Sequence, residues 1–163
     1  MSLRWGLITL SDKGAKGQRE DTAGQAISDL MNQAGHQRVD YAILPDDLQT
    51  IAERLAEWCD SGRMDLLLTC GGTGMSPRDV TPEATLQVIQ RHAPGFAEAM
   101  RAKSLEITRH AMLSRAVTGM RGQTLILNLP GSRKAAVENL QTVLPALDHA
   151  IEKLKGDPSD CGS

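Results

Sequence analysis

The residue types best suited to chemistry gather in one segment, Cys70-Gly-Gly-Thr-Gly-Met-Ser-Pro-Arg-Asp-Val-Thr-Pro82. Closely spaced glycines after an apolar run let the backbone turn tightly and aim successive N–H groups at one place. That arrangement suits a phosphate or a pterin carbonyl, although the same glycines taken alone also describe a plain tight turn. The segment is not a Walker A loop, because GxxxxGK[ST] is absent, and Gly72-Thr-Gly74 lacks the third glycine of a dinucleotide fingerprint. Asp79 stands eight residues beyond Gly71. A carboxylate there would repel a bound phosphate unless a divalent cation lay between them, and Mg2+ held by one or two carboxylates plus substrate phosphates is the usual solution. Asp46, next to the helix cap Asp47, could complete such a site; the alternative for both Asp46 and Asp79 is an ordinary turn role.

Other candidate groups carry less. His36, His92, His110 and His149 are scattered without metal-ligand spacing. No GxSxG elbow marks a nucleophilic serine, and Cys70 reads as a small packing residue beside the glycines. The three cysteines, Cys59, Cys70 and Cys161, match neither a zinc site nor a CxxC pair, so a reduced, cytoplasmic chain is expected. A formal net charge of −2 argues against bulk nucleic-acid binding, and four aromatic residues are too few for a base-stacking platform. Residues 101–134 nevertheless hold seven basic side chains against one acid, Glu106, an asymmetry that suits a compact anion unless it is only a solvated cluster. No apolar stretch is long enough for a membrane span, and the N-terminus runs into a strand pattern instead of a signal core.

Elements that must position these residues follow from periodicity. Residues 3–10 read as a strand and 11–20 as a polar loop. Asp21 then caps a helix whose apolar positions run from Ala23 to Ala34, ended by Gly35. Val39, Tyr41 and Ile43 alternate as a strand that stops at Pro45, and Asp47 caps a helix that buries Ile51, Leu55 and Trp58 and ends before Gly62. Residues 65–70 are almost wholly apolar, as an inner parallel strand should be. Thr81 is read as an N-cap with Pro82 first in a helix reaching about residue 92; Pro94-Gly95 interrupts it, and a further helix spans 96 to about 108. Residues 116–120 turn at Arg121-Gly122 into a strand over 124–129. Ser132 caps a last helix striped by Val137, Leu140, Leu144, Leu147, Ile151 and Leu154 and kinked at Pro145. The pattern predicts one three-layer α/β/α domain over 1–155 with a mostly parallel sheet, and a flexible tail over 156–163. In such sheets ligands settle beyond the carboxyl ends of the strands, where four polar turns fall: Ser11-Asp12, Asp46-Asp47, residues 71–81 and residues 128–132.

An ordered set of motifs extends this reading: Thr9-Leu-Ser-Asp12, Leu44-Pro-Asp46, Gly71-Gly-Thr-Gly74, Pro77-Arg-Asp-Val-Thr-Pro-Glu-Ala-Thr85, Pro94-Gly-Phe96, Ala111-Met-Leu-Ser-Arg115, Gly119 followed by Arg121-Gly122, and Leu127-Asn-Leu-Pro-Gly131. By these the chain resembles the Mog and MoaB family of molybdenum-cofactor biosynthesis proteins, which includes the pterin-adenylating domains of gephyrin-type enzymes. The resemblance implies a MoaB/Mog-like fold, a homotrimer, and adenylyl transfer from Mg-ATP to molybdopterin with release of pyrophosphate. It places catalysis and Mg2+ binding on Asp46 and Asp79. It places contacts to molybdopterin or ATP on Ser11, Gly71, Gly72, Thr73, Gly74, Ser76, Ser114, Arg115, Asn128, Pro130, Gly131 and Ser132. Hand-over of product to a molybdenum insertase is a further expectation. Some MoaB-type relatives lack the aspartate pattern; this chain keeps it, so the alternative, a non-catalytic pterin-binding or scaffold protein, is the second reading.

Overall fold

The computed structural model describes residues 1–161. Its sheet has six strands in the order β2-β1-β3-β6-β5-β4: β1 (Arg4–Leu10), β2 (Gln37–Leu44), β3 (Leu66–Cys70), β4 (Arg91–His92), β5 (Thr118–Arg121) and β6 (Thr124–Leu129). The first four in that order run parallel, whereas β5 is antiparallel to β6 and β4 to β5. Strands β3 and β6 are buried throughout, as parallel strands covered on both faces are, and β2 at the edge is only half-buried.

Alternation along the strands sends side chains to two cores. Leu7, Leu68 and Leu127 are register partners in a row across the sheet and pack with Ile27 and Met31 of α2 (Thr22–Gln33), Met100 of α5 (Pro94–Leu105) and Leu140 and Leu147 of α6 (Arg133–Leu154). On the opposite face Ile8, Leu67 and Ile126 meet Ile51 and Leu55 of α3 (Leu48–Asp60) and Ala84 and Val88 of α4 (Thr81–Val88). Each fully buried Leu, Ile or Met among these contributes roughly 1.5–3 kcal/mol. Two cores on one sheet make the three layers that the strand and helix patterns predict.

Helix ends form where the cap residues stand. Asp21 Oδ1 accepts from Gly24 N at 2.9 Å, Asp47 Oδ2 from Thr50 N at 2.9 Å, and Ser132 Oγ from Ala135 N at 3.3 Å. Gly35 and Gly62, at φ 83° and 68°, follow the last residues of α2 and α3 in the left-handed region. Four expectations need correction. Thr81 is not the N-cap of α4: Val80 holds that position, and the Thr81 hydroxyl donates instead to Gly71 O at 2.9 Å. The helix ends at Val88 because the following backbone is taken by β5, with Gln90 N donating to Met120 O and Ala93 N to Thr118 O. Pro94 starts α5 at its first turn instead of standing before it, and that helix stops at Leu105. The polar segment after β1 contains one helical turn, α1 (Asp12–Ala15), capped by Ser11. Of the expected tail, Asp157 O and Ser159 Oγ receive Lys153 Nζ at 3.2 and 3.1 Å, and positions 162 and 163 lie outside the described residues.

Candidate active site

Neighbouring strands β1 and β3 send their following segments to opposite sides of the sheet, since β2 lies beyond β1 while β6 lies beyond β3. This is a topological switch point, where an open α/β sheet leaves a crevice at its carboxyl edge. The glycine loop fills that crevice. Gly71 N donates to Leu129 O, and a Cβ on Gly71, at φ 105°, would stand 2.6 Å from Leu10 O. A Cβ on Gly72, at φ 67°, would collide with Thr81 Oγ1 and lie 3.1 Å from Asp46 Oδ1. One on Gly74 would lie 2.9 Å from Asp79 Oδ2, and one on Gly131 3.2 Å from Gly71 Cα. Glycine at 71 and 72 is therefore required by backbone conformation and by the close approach of Leu10, Thr81 and Asp46, while at 74 and 131 the fit is close but a neighbour could give.

The loop is held from two sides. Arg115 reaches in from the segment before β5: its Nε donates to Gly74 O at 2.7 Å, its Nη2 to Asp79 O at 2.8 Å, and its Nη1 pairs with Glu83 of α4. Arg115 N also donates to Thr73 O at 2.8 Å. From the other side Arg78 makes a two-pronged pair with Asp12, Nε to Oδ2 at 3.1 Å and Nη2 to both oxygens at 2.8 Å. Asp12 Oδ1 accepts as well from Asp46 N at 3.0 Å. The turns after β1, β2 and β3 are thereby tied together.

Electrostatics differ sharply among the acids. Burial, followed by the like charges of Asp12 and Asp79, pushes the Asp46 carboxyl above the usual range, and its Oδ1 is buried without a hydrogen-bond partner. Asp12 is held below the usual range by its Arg78 partner and by the Asp46 N–H. Asp79 Oδ2 accepts from Ser76 N at 3.0 Å. An orphaned carboxylate oxygen beside a second carboxylate has the chemistry of an incomplete cation site. Among the described residues no group of three or more His, Cys, Asp or Glu could enclose a metal by itself, so a cation here would complete its shell with water or with oxygens of its ligand.

Two clefts flank the loop. One, of about 530 Å³, is lined by Ser11, Asp12, Lys13, Asp21, Asp46 and Ser132 among others. The second, of about 420 Å³, has Thr73, Gly74, Arg101, His110, Ser114, Pro130 and Asn139 in its walls. Gly72, Asp79 and Gly131 line both. Of the residues singled out from the sequence, Ser11, Asp46, Gly71 and Ser132 thus face the first cleft, Thr73, Gly74, Ser114 and Pro130 the second, and the three shared residues form the partition. Ser76, Arg115 and Asn128 line neither. Arg115 is spent on the loop, and Ser76 receives Arg78 N at its hydroxyl. Asn128 is fully buried, donating to Thr69 Oγ1 and Thr85 Oγ1 and accepting from Val117 N, so that it locks α4 to the sheet beneath the loop.

The basic segment 101–134 also resolves into structure. Arg101 donates to Ser114 O and Ala116 O, Arg121 pairs with Asp60, Lys103 with Glu106 and Lys134 with Glu138, which disperses most of the expected positive patch. Cys70 lines the first cleft, but burial pushes its thiol up to about 12, and its Sγ donates to Pro130 O; it packs and does not attack. Sequence reasoning missed Asp12 as a partner of Arg78, 66 residues away, and saw in Asp21 only a cap, although its Oδ2 accepts the Thr9 and Tyr41 hydroxyls at the mouth of the cleft. A position directly after β1 is the one signal that marked Asp12.

Fold and site define an α/β domain with two clefts at the carboxyl edge of a parallel sheet, one on each side of a glycine loop. The chain belongs to the family described as the probable molybdopterin binding domain, whose model matches residues 6–149. It is 39% identical over 154 residues to a molybdopterin adenylyltransferase of Helicobacter pylori, covering 93% of this chain and 88% of that one. The molybdenum cofactor synthesis protein cinnamon of Drosophila melanogaster is 38% identical over 159 residues, but the chain, 97% covered, spans only 26% of that longer protein. Among solved structures, the molybdopterin biosynthesis enzyme MoaB of Thermus thermophilus superposes with a TM-score of 0.89 at 47% identity, covering 97% of this chain and 99% of the other.

Proposed function

We propose that the chain acts in molybdenum-cofactor biosynthesis as a molybdopterin adenylyltransferase, taking ATP and molybdopterin to adenylated molybdopterin and pyrophosphate. The observation that carries the reading is the partition: two clefts share Gly72, Asp79 and Gly131, and the orphaned Asp46 Oδ1 lies against the same glycine. A reaction between two polyanions needs two adjoining pockets and a means of relieving charge between them. In this reading an oxygen of the pterin's terminal phosphate attacks the α-phosphorus of ATP. The new P–O bond forms as the bond to the β-phosphate bridging oxygen breaks, and the electron pair leaves with pyrophosphate. A phosphate monoester is already deprotonated at neutral pH, so no protein base is needed.

Among the described residues, the N–H groups of Gly72, Thr73 and Gly74 have no hydrogen-bond partner and are available to phosphate oxygens. The N-terminus of the 22-residue α6 opens at Ser132 on the first cleft and adds a favourable dipole. Asp46 and Asp79 would hold Mg2+, which when bound neutralises phosphate charge and stabilises the departing pyrophosphate. Arg115 and Glu83 keep the Asp79 turn in place. The same reading carries a homotrimer, a cytoplasmic location and delivery of product to a molybdenum insertase. Among the described residues no helix is long and apolar enough to cross a membrane.

The test incubates purified protein with molybdopterin, ATP and Mg2+ and scores adenylated pterin and pyrophosphate by chromatography. Both products are expected from the wild type and neither from Asp79→Ala. Pterin binding without either product would instead establish a non-catalytic pterin-binding protein.

A further inference from the structure

We propose that Asp12 is a positioning residue that parks the Arg78 guanidinium away from the Asp46–Asp79 pair while orienting the Asp46 turn. The inference rests on the reading above that these two aspartates hold Mg2+. Arg78 directly precedes Asp79, and its side chain is 64% exposed. Among the described residues its guanidinium has one partner, Asp12. Asp12 Oδ1 is shared between Arg78 Nη2 at 2.8 Å and Asp46 N at 3.0 Å, so the arginine charge stands one carboxylate away from the Asp46 backbone.

This geometry gives Asp12 two tasks. It accepts the N–H that fixes the turn carrying Asp46, and it satisfies a cation that already acts electrostatically on Asp46, whose buried Oδ1 has no partner. Arg78 already acts electrostatically on Asp46 from its parked position. Released, a flexible arginine can pair with either working aspartate and oppose a divalent cation there. Asp12 itself is not a third metal ligand in this arrangement, because both of its oxygens are occupied by Arg78. Bringing a unit charge to about 4 Å from a carboxylate in a largely aqueous site changes cation affinity about five- to tenfold.

Of two single variants, one should then weaken cation binding and the other should not. Asp12→Asn keeps an oxygen for Asp46 N but frees Arg78. Arg78→Gln removes the competitor. The probe is Mn2+ alone, titrated into the full chain and followed by loss of the free-ion electron paramagnetic resonance signal, with circular-dichroism melts to confirm folding. Wild type is expected to bind Mn2+ through Asp46 and Asp79, and Asp12→Asn about tenfold more weakly. Arg78→Gln should bind as tightly as wild type or more so, and the double variant should match Arg78→Gln. If wild type binds no Mn2+, or Asp79→Ala binds it equally well, the metal reading fails and this inference falls with it. Should wild type bind normally while Asp12→Asn is unchanged, or Arg78→Gln binds more weakly, the parking role alone is overturned. The change at Arg78 affects an exposed side chain, so weaker binding by Arg78→Gln overturns the parking role even if Asp12→Asn does not fold.

Discussion

Gly72→Ala probes the partition most directly. Gly72 sits at φ 67°, where an alanine costs about 1–2 kcal/mol. The added methyl would also meet Thr81 Oγ1 and lie 3.1 Å from Asp46 Oδ1. Thr81 is fully buried and its hydroxyl donates to Gly71 O, so displacing it leaves a buried carbonyl unpaired at about 1–3 kcal/mol. The two effects together make roughly 2–5 kcal/mol, and for a chain of this size each kcal/mol lowers Tm by about 2–4 °C. A drop of roughly 5–15 °C is expected. Gly122→Ala is the matched control, because Gly122 has φ 55° and a methyl added there would meet nothing within 4 Å. It should lose only the conformational part, about 2–8 °C. Thermal melts of both variants would be compared with adenylated-pterin formation at about 20 °C below each Tm, where Gly72→Ala should lose activity about tenfold or more through the shifted Asp46. Equal melts for the two variants, or full activity in Gly72→Ala, would refute the argument that close packing, and not backbone conformation alone, demands glycine there.

Arg115→Lys removes the bonds to Gly74 O and Asp79 O but keeps a positive charge. Steady-state kinetics should show kcat down about ten- to a hundredfold with KM little changed; a weakened KM at constant kcat would mean that Arg115 binds ligand directly. Asp65 is buried and, despite the cost of that burial, its bonds to Arg4 and Lys155 hold its carboxyl down at about 2. Its stabilisation is therefore complete above the ordinary carboxylate range and lost as pH falls toward 2. Asp65→Asn should cost about 1–2 kcal/mol at pH 7, allowing for the half-exposed partners, and the gap to wild type in urea melts should close by about pH 2. Iodoacetamide at about pH 8 should label Cys161, which is exposed, and leave native Cys59 and Cys70, both buried with thiols pushed up to about 12. Mass spectrometry that finds Cys70 alkylated before unfolding would contradict the packing role.

Much of this architecture is legible because local rules set it. Asp21, Asp47 and Ser132 cap the helices that their positions predict, and the short apolar run before Gly71 is the inner strand its composition implies. Errors arise where distant chain competes for a backbone or side chain. Thr81 has the composition of a cap, yet the glycine loop folding over it claims its hydroxyl. Residues 89–93 continue a helical pattern, yet β5 offers them sheet hydrogen bonds. The partners of Arg115, 32 to 41 residues away, and the Arg78 to Asp12 pair have no periodic signature that one sequence can display. Asp46, Asp79 and the glycines stand out because they occupy the turns at strand ends; their relation to two separate clefts requires the packed chain.

Gly72, Asp79 and Gly131 line both clefts, so the two share part of one wall. If, as proposed, each cleft takes one substrate, a molecule in either would bias the same few atoms that meet the other. Linkage makes that bias mutual: whatever factor the first ligand imposes on the affinity of the second, the second imposes on the first. The order in which two substrates arrive would then be a matter of rates, while the free energy of the doubly filled state is the same by either route.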